Sequence, residues 1–206
     1  LAHSLLEQWA KGELSAEALP GEWERRHDAE VTEPYPPFPK NYREKAYQAG
    51  LEYFTDFPGI DEWYSVVATE HRYLTKIGGC EFTGIIDLVL RNSKTGRLHI
   101  RDHKSRSLSS MKKDRDAVKQ LYAYAKFVKE KYGEYPSIME FNLFKEGGII
   151  VEFPFVKNQY DEVIQWLETG IALISMESEW KANYQKFFCQ NLCSMRNLCA
   201  EALSKE

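Results

Sequence analysis

The chain has 206 residues, of which 43% are hydrophobic and 14% aromatic, and its formal net charge is −4 at pH 7. A chain of this size and composition can bury a real core, so we expect residues 1–206 to form a single domain. No apolar run is long enough to span a bilayer, and the first residues lack the basic and then apolar segments of a secretory signal peptide. These features predict a cytoplasmic protein without a membrane partner. The net acidity argues mildly against a sequence-independent coat on nucleic acid, although local patches matter more than total charge.

The first part of the chain predicts two helices with an irregular segment between them. Residues 1–11 place apolar side chains at helical spacing, and Gly12 follows as a stop. Residues 13–40 contain seven acidic residues and a proline-rich run at 34–39, which predicts an irregular surface insertion with room for one short helix. Residues 42–54 again repeat apolar side chains at helical spacing and predict a helix that packs on a sheet.

The middle of the chain predicts three consecutive antiparallel strands. Residues 63–77 and 80–90 alternate apolar and polar side chains, and the two glycines between them are typical of a hairpin turn. A second polar turn at 92–96 leads into a strand that ends at about Lys104.

The last part of the chain alternates predicted helices and strands. Ser109 or Ser110 is expected to cap a long helix over 111–132, and strands follow at 137–144 and 149–155. Asn158 is expected to cap a final helix over 159–180, before a cysteine-containing tail at 181–206. The apolar stripe of this final helix is predicted to face a core and consists of Val163, Trp166, Leu167, Ile171 and Ile174.

Three charged side chains on the second predicted hairpin form the first candidate site. Asp102 and Lys104 are two residues apart on a strand, so they emerge on the same face. If the preceding strand pairs across the turn, Asp87 comes near Asp102. Two carboxylates and a lysine on rigid backbone suit a divalent metal and phosphodiester chemistry, because hard cations prefer oxygen ligands. The alternative is an exposed, salt-bridged hairpin with no catalytic role.

A basic cluster directly follows these residues. Between Arg101 and Lys119 there are seven Lys or Arg against three Asp, a local charge of +4. A solvated loop and helix start would explain such a run on its own, but its position beside the carboxylates favours a surface that follows phosphates. The candidate nucleic-acid contacts are Arg106, Lys112, Lys113, Arg115 and Lys119.

Several motifs in a fixed order resemble those of a known enzyme family. They are Gly84-Ile-Ile-Asp87, Asp102-His103-Lys104, and Gln120 with Tyr124. Their combination resembles the PD-(D/E)XK nuclease superfamily. Residues 3–7 and the C-terminal cysteines are similar to its RecB-like branch, which includes CRISPR-associated iron–sulfur exonucleases. The resemblance implies a restriction-endonuclease-like α/β core, with a mixed central sheet of about five strands flanked by helices.

The function that the resemblance implies is metal-dependent hydrolysis of DNA phosphodiester bonds. Within this branch, an exonuclease on single-stranded DNA or DNA ends, serving repair, recombination or adaptation, is expected. A helicase or a repair or adaptation complex is the implied protein partner. The alternatives are a structure-specific or flap endonuclease, a DNA-binding module that no longer cleaves, and a structural protein whose cysteines hold zinc.

The resemblance also assigns roles to single residues. Asp87 and Asp102 would ligate Mg²⁺ or Mn²⁺, together with the His3 imidazole and the His103 backbone carbonyl. The imidazole makes Mn²⁺ at least as plausible as Mg²⁺, because nitrogen ligands suit the softer ion better. Lys104 would orient or activate the attacking water and stabilise developing negative charge.

Three further side chains carry open alternatives. Gln120 and Tyr124 would position the DNA backbone or Lys104, whereas outside the motif a solvent-facing glutamine and a packing tyrosine would be expected. Glu70 could reach a second metal, but a solvent-exposed strand glutamate is the favoured interpretation.

Three cysteines near the C-terminus form the last candidate site. Cys189, Cys193 and Cys199 lie within eleven residues, and thiolates at such spacing suit a [4Fe–4S] cluster or zinc. The resemblance implies an iron–sulfur element whose fourth cysteine lies upstream of His3, in a native segment that this sequence lacks. Cys80, at the start of a predicted central strand, is expected to be a buried core thiol.

Overall fold

The computed structural model describes residues 1–32, 37–114, 116–180 and 182–204. At its centre lies a five-stranded sheet whose strands are arranged in chain order. The strands are β1 Tyr64–Ile77, β2 Cys80–Asn92, β3 Leu98–Lys104, β4 Ile138–Leu143 and β5 Ile149–Pro154. Strands β3 and β4 are parallel and the other neighbouring pairs are antiparallel, which confirms the predicted mixed sheet.

Helices flank this sheet, as predicted. Their bounds are α1 Ala2–Ala10, α2 Leu19–Glu30, α3 Tyr42–Thr55, α4 Leu108–Lys113, α5 Ala117–Tyr132, α6 Lys157–Met176, α7 Lys186–Asn191 and α8 Ala200–Leu203. One buried apolar cluster joins the sheet to α5 and α6. A second joins α1, α2 and α3 to Phe144, just beyond β4. Within the described ranges no helix combines the length and apolar character needed to cross a membrane.

Two turns fix the register of the first three strands. Gly78 and Gly79 have φ angles of 56° and 79°, the left-handed region that a tight hairpin turn requires at both central positions. Between β2 and β3, the Asn92 side-chain oxygen accepts hydrogen bonds from the backbone N–H groups of Lys94 and Thr95 at 2.9 and 3.1 Å. These contacts close the turn and bring β2 and β3 together.

The parallel pairing of β3 with β4 depends on the helices between them. Parallel strands require a crossover connection, and α4 and α5 supply it. The inner face of α5 is fully buried at Leu121, Ala125 and Val128, as its apolar periodicity predicts. The crossover thereby lays α5 against the sheet, beside the C-terminal end of β3.

The single helix predicted over 111–132 is wrong, because the structure divides it in two. Helix α4 ends before Asp114, whose Oδ1 accepts hydrogen bonds from the backbone N–H groups of Asp116 and Ala117 at 3.0 and 3.1 Å. An aspartate that satisfies backbone donors in this way competes with helix continuation. The cap of α4 is Ser107, whose Oγ accepts from the Ser110 N–H at 3.2 Å, and not Ser109 or Ser110.

The irregular insertion predicted over 13–40 is also wrong in part, because α2 spans twelve of these residues. Its buried side chains are Leu19, Trp23 and His27, spaced four residues apart on one face. This stripe is narrow, and the surrounding acidic residues hide it in the sequence. Residues 33–36 of the proline-rich run lie outside the described residues.

Three further burial predictions do not hold. Trp166 and Ile174 on α6 are 51% and 59% exposed, although Val163 on the same helix is buried. Cys80 is exposed rather than buried, because the first residues of β2 pair only with β1, whereas β3 pairs with β2 only from Leu88 to Arg91. Helix α6 begins at Lys157, without the expected cap from Asn158. The spacing of apolar residues shows which side of a helix is apolar, but it does not show whether another element packs on that side.

Candidate active site

The candidate site forms where β2 and β3 lie side by side. Their register pairs Leu88 with Arg101, which places Asp87 beside Asp102 on the neighbouring strand. Both residues are largely buried, with 9% and 2% of their surface exposed. The structure therefore brings together the two carboxylates that the sequence selects.

His3 and the backbone at His103 complete one side of the site. His3, in the first turn of α1, places Nε2 at 3.3 Å from Asp87 Oδ2 and at 3.1 Å from the His103 carbonyl oxygen. The backbone N–H of His103 donates to Asp87 Oδ2 at 2.6 Å. One imidazole nitrogen thus contacts both a carboxylate oxygen and a backbone carbonyl oxygen of the site.

The surroundings shift the pKa values of the two carboxyl groups in opposite directions. Burial and then the charge of Asp87 raise the pKa of Asp102 to about 6, against the influence of Lys104. Burial also disfavours the ionised form of Asp87, but hydrogen bonds from His3 and the His103 N–H outweigh it and lower that pKa. The hydrogen bond to Asp87 in turn raises the pKa of His3. Such divergent shifts within one cluster are typical of functional sites.

Lys104 is held by side chains from β3 and α5. Its Nζ donates to Gln120 Oε1 at 2.7 Å and lies 2.7 Å from Asp102 Oδ2. Gln120 Nε2 donates to Asp102 Oδ1 at 3.2 Å and to the Tyr124 hydroxyl oxygen at 2.6 Å. Gln120 is therefore not a solvent-facing helix residue, since its amide contacts Lys104, Asp102 and Tyr124.

Tyr124 combines packing with hydrogen bonding. It belongs to the buried apolar cluster and is 7% exposed, so the packing interpretation accounts for its ring. Its hydroxyl lies one helical turn from Gln120 and meets that side chain. Burial raises its pKa, so the hydroxyl is neutral at ordinary pH.

The His103 imidazole lies on the opposite face of β3 from Asp102 and Lys104. Burial lowers its pKa to about 3, so the ring is neutral. Asn142 Nδ2 donates to His103 Nδ1 at 2.9 Å and to the Tyr53 hydroxyl at 2.9 Å. This buried chain joins β3, β4 and α3 and fixes the backbone of His103, whose carbonyl and N–H both serve the site.

Glu70 is a residue whose surroundings the sequence does not reveal. It lies between the pairs Thr69–Leu88 and His71–Ile86, which places it beside Asp87. Its φ of 43° is strained for a non-glycine residue, and strain of this kind is concentrated at functional sites. Glu70 is half-buried, so the expectation of a solvent-exposed strand glutamate is wrong. Burial and then the Asp87 charge raise its pKa. Only the hairpin register, absent from any local motif, could have indicated this neighbour.

The donors in this cluster fit a hard divalent cation. Asp102 Oδ2 is buried and accepts no hydrogen bond from the described residues, although Lys104 Nζ contacts it as an ion pair. Across the ranges that the structure describes, no group of three or more His, Cys, Asp or Glu side chains could by itself hold a metal. Mg²⁺ needs only one or two protein carboxylates, because water and phosphate supply its other ligands. The oxygen atoms of Asp87, Asp102 and the His103 carbonyl therefore provide enough protein ligands for this ion.

Comparison with known proteins assigns the chain to a family. A family model described as the PD-(D/E)XK nuclease superfamily matches residues 1–200. The chain belongs to the PD-(D/E)XK nuclease superfamily. Membership implies a nuclease hydrolase that acts on DNA, and members generally use divalent metals such as Mg²⁺.

Two other comparisons add little to this assignment. A solved structure entitled "Crystal structure of SSO0001" is similar over 97% of this chain and 95% of its own, at 16% identity and a TM-score of 0.40. A search of curated proteins found no matching sequence.

In this PD-(D/E)XK nuclease, part of the predicted basic surface is already engaged in ion pairs. Arg106 pairs with Asp114 at 2.6 Å, and Lys119 pairs with Asp116 at 2.8 Å. Lys112 and Lys113 at the end of α4 are exposed. Arg115 lies outside the described residues. Among the described candidates, Lys112 and Lys113 therefore present their charge most openly to solvent.

The three C-terminal cysteines lie in and around α7 and are half-buried. Cys189 Sγ accepts a hydrogen bond from the Gln185 N–H at 3.3 Å. Within the described part of the tail, these thiols do not form a group that could hold a metal. The arrangement does not fit a cluster as it stands, and the iron–sulfur element stays a prediction.

Proposed function

We propose that the protein is a metal-dependent deoxyribonuclease that acts as an exonuclease on single-stranded DNA or DNA ends. The observation that carries this proposal is the buried pair Asp87 and Asp102 on adjacent strands, with Lys104 held beside them by Gln120. Superfamily membership supports the hydrolysis of DNA. The exonuclease mode, and a role in repair, recombination or adaptation beside a helicase or another complex, are finer parts of the proposal.

Asp87, Asp102 and the His103 carbonyl would hold Mg²⁺ or Mn²⁺, with the His3 imidazole at the edge of the donor set. When bound, such an ion supplies Lewis-acid polarisation of the phosphate and lowers the pKa of an attacking water. Asp87 is prepared for this role because its pKa is low, so it is ionised at neutral pH. Burial and the Asp87 charge raise the pKa of Asp102 even with Lys104 beside it, and a bound cation would favour its ionised form.

Lys104 is proposed to orient the attacking water and to stabilise negative charge on the phosphate oxygens. Its ammonium lies between Asp102 and Gln120, and its side chain is 23% exposed, so it can reach a phosphate at the surface. Gln120 is a positioning residue, because its amide holds both Lys104 and Asp102. Tyr124 orients Gln120 in turn through the hydroxyl contact.

The test is cleavage of single-stranded DNA by the purified chain, with linear and circular substrates compared. We expect Mg²⁺ or Mn²⁺ to support degradation of the linear strand only, EDTA to stop it, and Lys104→Ala to lower the rate at least about 100-fold. Lys94→Ala is the matched control, because Lys94 is a surface lysine that stacks on Trp63, 3.6 Å from its ring centroid. Cleavage of the circular strand would mean that the enzyme is an endonuclease and not an exonuclease. Full activity of Lys104→Ala would refute the assigned site.

A further inference from the structure

A pocket of about 360 Å³ opens directly beside the catalytic network. Gln120 and Tyr124 form part of its wall, so the pocket is continuous with the cluster that holds Lys104. Its volume falls within the range of about 300–1,000 Å³ typical of sites for small organic groups. Most of the remaining wall is apolar and is formed by Phe82, Gly84, Ala123, Trp166 and Leu167.

Trp166 is the unusual member of this wall. It lies on α6 and is 51% exposed, although its position in the apolar stripe predicts a buried side chain. The ammonium of Lys119 lies 3.9 Å from the centroid of the indole ring and holds one side of the ring by a cation–π contact. A large aromatic surface is thus kept in place and left accessible next to a phosphodiesterase site.

The charges in the pocket indicate what kind of group it can hold. Lys119 and Asp116 both line it and pair with each other at 2.8 Å, so their charges cancel. A phosphate placed here would lack a compensating cation and would lose its hydration against apolar walls. A nucleobase is uncharged and flat, and it gains by stacking on an aromatic ring.

We propose that this pocket receives one unstacked base of the DNA strand next to the scissile phosphate, with Trp166 as the stacking surface. The inference rests on the proposed nuclease function and deepens it, because it names the feature of the substrate that is recognised. A base inside a duplex is stacked and paired, so it reaches the pocket only from a single strand or a frayed end. Stacking is tolerant of sequence, since every base has an aromatic face.

The experiment compares a DNA strand with bases to one without bases. Binding of a labelled oligodeoxythymidylate, and of a strand of equal length built from abasic tetrahydrofuran residues, is measured by anisotropy. All proteins carry Lys104→Ala, so that Mg²⁺ can be present without cleavage. Trp166→Ala and Trp166→Phe are compared with Trp180→Ala, a control at an indole that is 71% exposed and lies beyond the end of α6.

We expect Trp166→Ala to weaken binding of the thymidylate strand by about tenfold, the effect of losing one stacked base. Trp166→Phe should restore most of the affinity, Trp180→Ala should change nothing, and the abasic strand should bind all the proteins alike. An equal loss on both strands, or no loss on either, would overturn the base pocket while leaving the nuclease intact. Failure of the Lys104→Ala parent to bind any DNA would overturn the proposed function, and the pocket with it.

Discussion

Burial and a neighbouring carboxylate both oppose the ionisation of Asp102. It is 2% exposed, lies beside another carboxylate, and has a pKa of about 6 against an ordinary value of 3.8. Between those two values the folded protein keeps a proton that the unfolded chain has released. The stability of the metal-free protein therefore falls as the pH rises through this range, and the loss is complete above about pH 6.

Asp102→Asn should therefore stabilise the metal-free protein at neutral pH. The expected gain is about 2 to 3 kcal/mol above pH 7, because the buried charge is removed, and it should vanish below about pH 3, where Asp102 is protonated in both states. Urea unfolding of both proteins in EDTA, over a series of pH values, measures the difference. A gain that is the same at all pH values would show that burial of the Asp102 charge is not its cause.

For single residues, the sequence identifies the members of the motifs better than it identifies the side chains that lie next to them in the fold. Side chains alternate between the two faces of a strand, so Asp102 and Lys104, two residues apart, lie on the same face. Gln120 and Tyr124 are four residues apart on a helix and are therefore neighbours on its surface. Glu70 and Trp166 escape such reasoning. Their roles depend on the hairpin register and on the path of α6 past the sheet, which are set by contacts distant in sequence.

Among the elements, β2 and α5 must approach closely for the site to form, and Gly84 permits this. A Cβ at Gly84 would lie 2.8 Å from the Phe127 ring and 3.3 Å from the Tyr124 ring. Phe127 is 1% exposed and cannot move aside freely. The glycine of the first motif thus serves the packing of α5, and through Tyr124 it also serves the position of Gln120.

Gly84→Ala should lower both stability and activity. We expect a loss of about 1 to 3 kcal/mol in unfolding free energy from overpacking, and a fall in cleavage rate as Tyr124 and Gln120 shift. Denaturant unfolding and initial rates of DNA cleavage measure the two effects.

Gly170→Ala in α6 is the matched control for that substitution. A Cβ at Gly170 meets nothing within 4 Å, so the alanine should add about 0.5 to 1 kcal/mol of helix stability and leave cleavage unchanged. If Gly84→Ala behaves like Gly170→Ala, the close approach of β2 and α5 does not position the site.

The elements that the sequence predicts well are those with a regular two- or 3.6-residue apolar period and a clear turn at each end. The β1–β2 hairpin and the buried face of α5 are of this kind. The break between α4 and α5 was not predictable from periodicity, because it depends on Asp114 accepting backbone hydrogen bonds. The sequence allows only one short helix within 13–40 and does not indicate the bounds of α2, because only three of its side chains are buried.

For the whole molecule, the C-terminal tail stands apart from the core. The two buried apolar clusters contain no described residue beyond Leu167. The tail is attached in part by Arg196, whose guanidinium donates to the Pro37 carbonyl at 2.7 Å. Large apolar side chains of the tail such as Phe187 and Leu198 are 65% and 76% exposed.

Removal of residues 177–206 should therefore leave the fold and the chemistry in place. We expect the thermal midpoint to change by no more than about 4 °C, which corresponds to roughly 1 kcal/mol for a chain of this size. Metal-dependent cleavage should persist, because no tail residue contacts Asp87, Asp102 or Lys104 among the described contacts. Unfolding of the truncated chain would show that the tail, with or without a metal at its cysteines, is part of the core.

The fold class was implied by the resemblance of the motifs to the superfamily, and the order of predicted helices and strands agrees with it. The parallel pairing of β3 and β4 and the second apolar cluster around α1, α2 and α3 did not follow. Both arise from contacts between segments that are far apart in the chain, and local sequence patterns do not predict such contacts.

The most direct test of the central claim is hydrolysis of end-labelled single-stranded DNA by wild type and by Asp87→Asn, with Mg²⁺, with Mn²⁺ and with EDTA. Asn at this position keeps the shape of the side chain but removes the low-pKa carboxylate that meets His3 and the His103 N–H. We expect cleavage by wild type with either metal, no cleavage in EDTA, and a loss of at least about 100-fold in Asp87→Asn. Equal cleavage by Asp87→Asn, or cleavage that persists in EDTA, would contradict metal-dependent hydrolysis at this site.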